Sequence, residues 1–482
     1  MTQTSPTSTP PSSSGPADAA RSGIDLDALD PAVRPQDDLY RHVNGRWLAT
    51  HAIPADRAMD GAFRALHDQA EVHVREIITD LGEQVAAGGA DVGPDAAKVG
   101  ALYASFMDTE RLAAPAAGPA AAPAGALYSR LMHTARSEAL GTTPLQPDLA
   151  LIASATTQAE LTGALGALQR TGGAGAVGFW VDNDAKDPER YVAYLYQSGL
   201  GLPDEAYYRE DQYAPVREKY VPHVARMLAL AGVTSETWGA SPEDAAERIV
   251  ALETRLAAKH WDVVRDRDAD LTYNPRTLAA LVEEAPGFDW RAWVLALGAP
   301  QGSLDDVVVR EPDFAAGFAE LWASEPLEDW KLWMVYHLVT ARAPYLSDDL
   351  VEANFDFYGR TLSGAQEVRE RWKRAVSVVE GALGEAVGAQ YVARHFPPAH
   401  KARMEELVAT LVAAYRESIT TLDWMTDETK EKALAKLDAF TPKIGYPVRW
   451  RDFSALVVDA HALVGNVRRA LARRRLSAPA GL

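Results

Sequence analysis

The sequence predicts a mainly α-helical fold, and three observations carry the prediction. Apolar residues recur every three or four positions through long segments, strand-like runs such as Val307-Val308-Val309 are few and short, and no fixed-period repeat points to a solenoid. The 482 residues correspond to roughly three domains or lobes at ~150 residues each, ample for a large core. Hydrophobic residues at 47% and charged residues at 24% exclude a wholly disordered chain.

Forty-eight Lys and Arg against 67 Asp and Glu leave a formal charge of −19, a surface that repels polyphosphate and anionic lipid. Neither nucleic acid nor membrane is therefore an expected partner. The absence of Cys excludes disulfide scaffolds, thiolate zinc sites and cysteine nucleophiles. The first 20 residues lack the charges and apolar run of a signal peptide, and no stretch reaches ~18 uncharged apolar residues, so a cytoplasmic protein is expected.

Residues 1–35 read as a disordered leader, Ser/Thr/Pro-rich and then polar, because such a composition cannot bury enough apolar area to offset chain entropy. From Phe63 a helical stripe follows: Phe63, Leu66, Ala70, Val74, Ile77 and Leu81. A second helix carries Val99, Leu102, Phe106 and Met107, and the proline-broken Ala113–Gly125 is a loop. Leu161–Gln169 reads as a helix and Gly178–Asp182 as a short, minor strand. Ser241, Pro242 and Asp244 form a helix start ahead of Ile249, Leu252 and Leu256. Trp330–Arg342, Gln366–Val387 and Lys401–Leu422 are further helices, the last with Met404, Leu407, Leu411, Tyr415 and Leu422 on one face.

Few residues offer chemistry. Gly173, Gly175 and Gly178 satisfy G-x-G-x-x-G, but a dinucleotide fingerprint needs a strand before and a helix after; here the order is reversed. No phosphate-cradling Gly-x-x-x-x-Gly-Lys follows. Asp182, Asp184 and Asp187 cluster without the glycine and glutamate of a calcium loop and read as a solvated acidic turn. No serine sits in a Gly-x-Ser-x-Gly elbow. A helix-borne zinc peptidase site needs two imidazoles four residues apart, with glutamate directly after the first. None of the 11 histidines precedes a glutamate and no two are four apart. His395 and His400 come closest, but Pro397-Pro398 between them prevents a continuous helix.

Several strings nevertheless resemble one family in order. They run from Asp38-Leu-Tyr-Arg-His-Val-Asn-Gly-Arg-Trp-Leu48, Ile53-Pro54 and Gly61-Ala-Phe63 to Leu200-Gly-Leu-Pro-Asp204 with Tyr207-Tyr208. Leu256–Trp261, Arg267-Asp268, Thr272-Tyr-Asn-Pro275 and Arg371-Trp372-Lys373-Arg374 come next. Tyr391-Val392, Phe396-Pro397, Leu422-Asp-Trp-Met425, Thr429-Lys430 and Lys443-Ile-Gly-Tyr-Pro447 complete the set. Together, from about Asp38 to Asn466, they resemble the M13 zinc metallopeptidases, the neprilysin-like endopeptidases.

The resemblance implies a large helical cap lobe over a thermolysin-like catalytic lobe, of which only edge segments are present here. Peptides enter between the lobes and size exclusion selects oligopeptides. On this reading residues 36–56 and 441–466 lean on the catalytic lobe, with Lys443–Pro447 strand-like, and 57–440 form the cap. Residues 467–482, ending RALARRRLSAPAGL, are a divergent Arg-rich tail. The His-Glu-x-x-His half is missing, which reads as premature termination or a frameshift. Zinc belongs to the full-length family; for this chain no catalytic, cofactor-binding or metal residue is assigned. His67 stands where many members carry an arginine, which in some of them helps to hold the substrate's carboxy end; here it reads as a plain helix-surface histidine. The alternative is a non-catalytic helical module that binds peptides or pairs with a separate catalytic half, with Tyr40, Trp47, Ile444 and Tyr446 left exposed.

Overall fold

The computed structural model describes residues 26–86, 140–173, 175–457 and 463–476. Most of the expected leader, the Val99–Met107 helix and the Ala113–Gly125 loop lie outside the described residues. The chain divides into two compact units, Met1–Pro54 and Ala55–Leu482. In the first, Leu39–Thr50 is a helix capped by Asp38, whose carboxylate accepts from the Arg41 amide at 2.9 Å. The Asp30 amide donates to the His42 carbonyl at 2.8 Å and the His42 ring bonds the Val33 carbonyl at 2.7 Å. The expected leader therefore stops short of residue 35, because residues 30–33 find backbone partners on this helix.

In the second unit the main core is helical. The Gln158–Arg170, Pro242–Ala257, Trp290–Leu297, Pro312–Ser324 and Leu327–Arg342 helices pack around Trp290, Trp293, Trp322, Trp330 and Trp333, all essentially buried. Each such aromatic removes a large apolar area from water, which is the dominant favourable term in folding. The Pro242–Ala257 helix begins as its sequence dictates: the Ser241 hydroxyl accepts from the Asp244 amide at 3.1 Å and Pro242 opens the first turn. Ile249, Leu252 and Leu256 are then fully buried along one stripe.

The sheet is larger than the sequence suggested. Strands β1 (Val177–Asp184) and β2 (Asp187–Gln197) form an antiparallel hairpin, β3 is Pro275–Thr277 and β4 is Asp306–Val309. The order is β1-β2-β4-β3, with β4 parallel to β2 and β3 antiparallel to β4. Ala193, Leu195, Val307 and Val309 face the helical core, whereas Val192, Tyr194 and Val308 pack on the other face, the period-two alternation of strands. The acidic turn is not simply solvated: Asp184 is buried and accepts from the Tyr273 hydroxyl at 2.6 Å, which holds its carboxyl below the usual range.

A second cluster joins the Ala62–Ala86 helix, through Val74, Ile77 and Ile78, to Ala375, Val376 and Val379 of the Arg371–His395 helix. The expected helix start at Gln366 moves to Arg371, because the Gln366 and Glu367 amides both bond the Ala55 carbonyl, at 2.7 and 3.0 Å. This helix kinks at Leu383, inside Gly381-Ala-Leu-Gly384, and ends at His395 before the two prolines. The Lys443–Pro447 segment is not a strand: Gly445 adopts φ +72°, which interrupts an extended run. The Arg-rich tail begins as part of a helix, Leu463–Leu476, whose Val464, Val467 and Ala470 are buried and whose Arg468 pairs with Asp148 at 2.8 Å.

Candidate functional site

The histidines go to separate places. His337 bonds the Glu253 carboxylate at 2.7 Å inside the core. His223 stacks on Phe357, and His260 bonds the Ser198 carbonyl at 3.2 Å; burial pushes both imidazoles down to about 4. His73 and His395 stack face to face at 4.2 Å, and His51 lies on Trp47 at 4.3 Å. His133 and His461 lie outside the described residues.

Among the described residues, one group places three metal-binding side chains together: His67, Asp68 and Glu71, with ligand atoms within 4.8 Å of one another. It does not fit a peptidase zinc centre. It offers one imidazole where two are needed, and guanidinium groups already hold both carboxylates. Arg57 donates to Asp68 at 2.7 Å, and Arg369 donates to both oxygens of buried Glu71 at 2.8 and 2.9 Å. A cation entering there would have to displace two arginines.

Two of the segments singled out, Leu200–Asp204 and Tyr207-Tyr208, meet instead at a buried polar hub that sequence reasoning did not identify. Glu253 is fully buried; its Oε2 accepts from the hydroxyls of Tyr208 at 2.7 Å and Tyr220 at 2.9 Å, and its Oε1 meets His337. The Tyr208 oxygen in turn accepts from the Gly201 and Leu202 amides, both at 3.1 Å, and Tyr358 donates to the Gly201 carbonyl at 2.9 Å. The Leu200–Asp204 loop is thus fixed by Tyr208 from the turn of helix that follows it and by Tyr358 from far along the chain. Burial, then the Glu253 charge, pushes the Tyr208 and Tyr220 hydroxyls well above their usual range. The available signal was Glu253 sitting four residues after Ile249, on the apolar stripe of its helix.

Beside the hub lies a cavity of about 560 Å³ between that loop, the end of β2, the His260-Trp261 segment and the end of β4. Gln197 ties its walls together. It donates its amide to Glu311 Oε2 at 2.7 Å and exchanges side-chain bonds with the Trp261 backbone at 2.7 and 2.9 Å. Glu311 is almost wholly buried, and burial, reinforced by its hydrogen bond to Asp266, pushes its carboxyl up to about 8.

The glycine-rich segment has a packing role. A Cβ on Gly175 would meet the Gln169 amide at 2.0 Å, and one on Gly178 the Tyr196 ring at 2.2 Å. Elsewhere the second unit presents a face without cover. No residue of the Pro398–Thr421 helix is buried; of the stripe expected from spacing, Met404, Leu407, Leu411 and Tyr415 are exposed, together with Trp424 and Phe440, whereas Leu422 falls just past the helix end and is half-buried. Phe63, at 91%, and Leu66 are likewise exposed on the first turns of the Ala62–Ala86 helix. Of the four residues expected to be exposed, Tyr40 is; Trp47, Ile444 and Tyr446 are half-buried, the last against Phe396, Trp450 and Lys401.

Comparison with known proteins gives this arrangement a context. The structure superposes on Mycobacterium tuberculosis zinc metalloprotease ZMP1 in complex with inhibitor with a TM-score of 0.82, at 50% identity, covering 95% of this chain and 65% of that one. A neutral endopeptidase of Lactobacillus helveticus is 26% identical over 433 residues, 89% of this chain and 61% of its own length. Mouse membrane metallo-endopeptidase-like 1 is 26% identical over 434 residues, 88% of this chain and 54% of its own length. This chain thus spans between about half and two thirds of these relatives. The pattern of Peptidase family M13 matches residues 35–447, in the region where the ordered motifs and the helical architecture coincide, and the chain belongs to that family.

Proposed function

We propose that this chain is the substrate-access portion of an M13 zinc endopeptidase acting on oligopeptides, and that on its own it hydrolyses nothing. The observation that carries the reading is the pairing of the family match with a sequence that holds no His-Glu-x-x-His and a His67–Asp68–Glu71 group closed by Arg57 and Arg369. Zinc in such enzymes lowers the pKa of its water to ~7, and no residue here is assigned to that task. The test is elemental analysis of the purified chain and an assay with quenched fluorescent peptides. Absence of both stoichiometric zinc and cleavage is expected; one zinc per chain with chelator-sensitive cleavage overturns the proposal.

A second reading, a non-catalytic module that docks on a separate catalytic half, is favoured by the exposed stripe Met404, Leu407, Leu411 and Tyr415. Exposed apolar patches beyond a few hundred Å² mark interaction surfaces or aggregate. Dye binding by the purified chain well above that of a compact monomer, reduced in L407Q/L411Q, supports this reading; binding no higher than that of a compact monomer counts against it.

A further inference from the structure

We propose that the cavity between the Leu200–Asp204 loop, the β2 end and Trp261 binds a primary ammonium adjacent to a carbonyl and an apolar side chain, the chemistry of a peptide's amino terminus. Three features of its wall lead there. Asp204 is half-buried on the cavity wall; one oxygen accepts from the Ala206 amide at 2.9 Å, and its carboxylate has no ion-pair partner among the described residues. The other charges around it are already matched. Glu205 pairs with Arg209 at 2.6 Å, and Arg310 pairs with Asp266 at 2.9 Å and Glu311 at 3.2 Å. Burial keeps His260 uncharged at neutral pH and Glu311 largely protonated. One negative charge is therefore left over, in a partly desolvated place where an opposite charge is worth more than in water.

Trp261 supplies the second, independent feature. It lines the cavity and is only 6% exposed, yet its indole N–H, a donor with no acceptor role, has no partner. A buried unpaired donor is costly, so a ligand that brings an acceptor there gains what the free protein forfeits. Trp180, Tyr196 and Pro203 also line the cavity and supply the third feature, an apolar surface. A volume of about 560 Å³ lies inside the range of small-molecule sites, roughly 300–1,000 Å³. A simple anion is disfavoured by Asp204, and a bare polyamine offers nothing to the Trp261 N–H. An ammonium with a neighbouring carbonyl and an apolar side chain satisfies all three features, and such binding is independent of peptide hydrolysis.

The test is titration of the full chain with phenylalanyl-alanine amide and with its N-acetylated form, by calorimetry and by tryptophan fluorescence. Phenylalanine amide is a further arm, separating a peptide end from a single amino-acid derivative. Saturable 1:1 binding of the free-amine peptide is expected, weakened about tenfold or more by acetylation and by D204N, as for loss of one charged hydrogen bond. W261F keeps an aromatic ring, though a smaller one, but loses the donor and is expected to weaken binding roughly fivefold. Equal binding of the acetylated probe, or no binding of either probe up to about 10 mM, overturns the proposal. Thermal melts accompany each variant; if D204N fails to fold, the acetylated probe on the unmodified chain decides alone. Peptide cleavage plays no part in the readout, so failure here is separable from failure of the endopeptidase reading.

Discussion

Replacing Glu311 with Gln isolates the pH response of one buried carboxyl. Its folded-state value is pushed from 4.5 up to about 8, by burial first and then by the bond to Asp266. Between those values the folded chain keeps a proton that the unfolded chain has released, so raising the pH favours unfolding, and the loss levels off above about 8. Below about pH 6.5 the opposite response of His223 and His260 overlaps, because folding holds those imidazoles uncharged while unfolding lets them protonate. The clean window is therefore about pH 6.5 to 8, roughly 1.5 units at ~1.36 kcal/mol each, or about 2 kcal/mol. The glutamine of E311Q retains the acceptor for the Gln197 amide and supplies an N–H toward Asp266, while removing the proton equilibrium. Urea unfolding of both proteins, followed by tryptophan fluorescence at the two ends of the window, gives the difference of differences. E311Q is expected to gain about 2 kcal/mol on the parent chain between them. A stability difference that stays constant within about 0.5 kcal/mol would refute the assignment of that proton to Glu311.

Three further substitutions test other parts of the fold. H223Q flattens the acid limb: the parent chain loses roughly 2–3 kcal/mol from that imidazole between about pH 6.5 and 4.5, and the variant does not, as read by urea midpoints at both values. E253Q removes the charge that three hydrogen-bonded groups converge on and costs roughly 3 kcal/mol, visible as a lower midpoint in a circular-dichroism melt; an unchanged midpoint contradicts the hub. G178A drives a methyl into the Tyr196 ring and costs about 1–3 kcal/mol. Neither that variant nor the parent chain quenches or shifts NADH fluorescence, because Gly178 serves packing against β2 rather than a phosphate.

Where local chemistry alone decides, the sequence was readable. Ser241, Pro242 and Asp244 begin their helix as capping rules require, and Pro397-Pro398 separates two helices. Spacing also identified the stripe Met404, Leu407, Leu411 and Tyr415, but not its exposure, because periodicity says which residues share a face and not whether anything covers it. The β2 segment Tyr191–Leu195 was missed, since Ala193–Leu195 are buried where they pair with β4 more than 100 residues away, a contact no local window contains. Lys443–Pro447 failed for the converse reason: composition favoured a strand, and one positive φ at Gly445 excluded it. The chemistry of the cavity was the least legible. Asp204, Glu311 and the pair Trp261 and Asp266 come from three separate segments and acquire their character only from burial.

Glu253 has an evolutionary corollary. A single carboxylate is shared by Tyr208, Tyr220 and His337, so replacing Glu253 strands all three partners at once and replacing any one partner strands bonding capacity on Glu253. The four positions should therefore display strong epistasis, with neutral drift at one blocked unless a compensating exchange arises at another. Related chains lacking the carboxylate should carry phenylalanine, leucine or methionine at several of these places at once, having crossed to an apolar solution as a block.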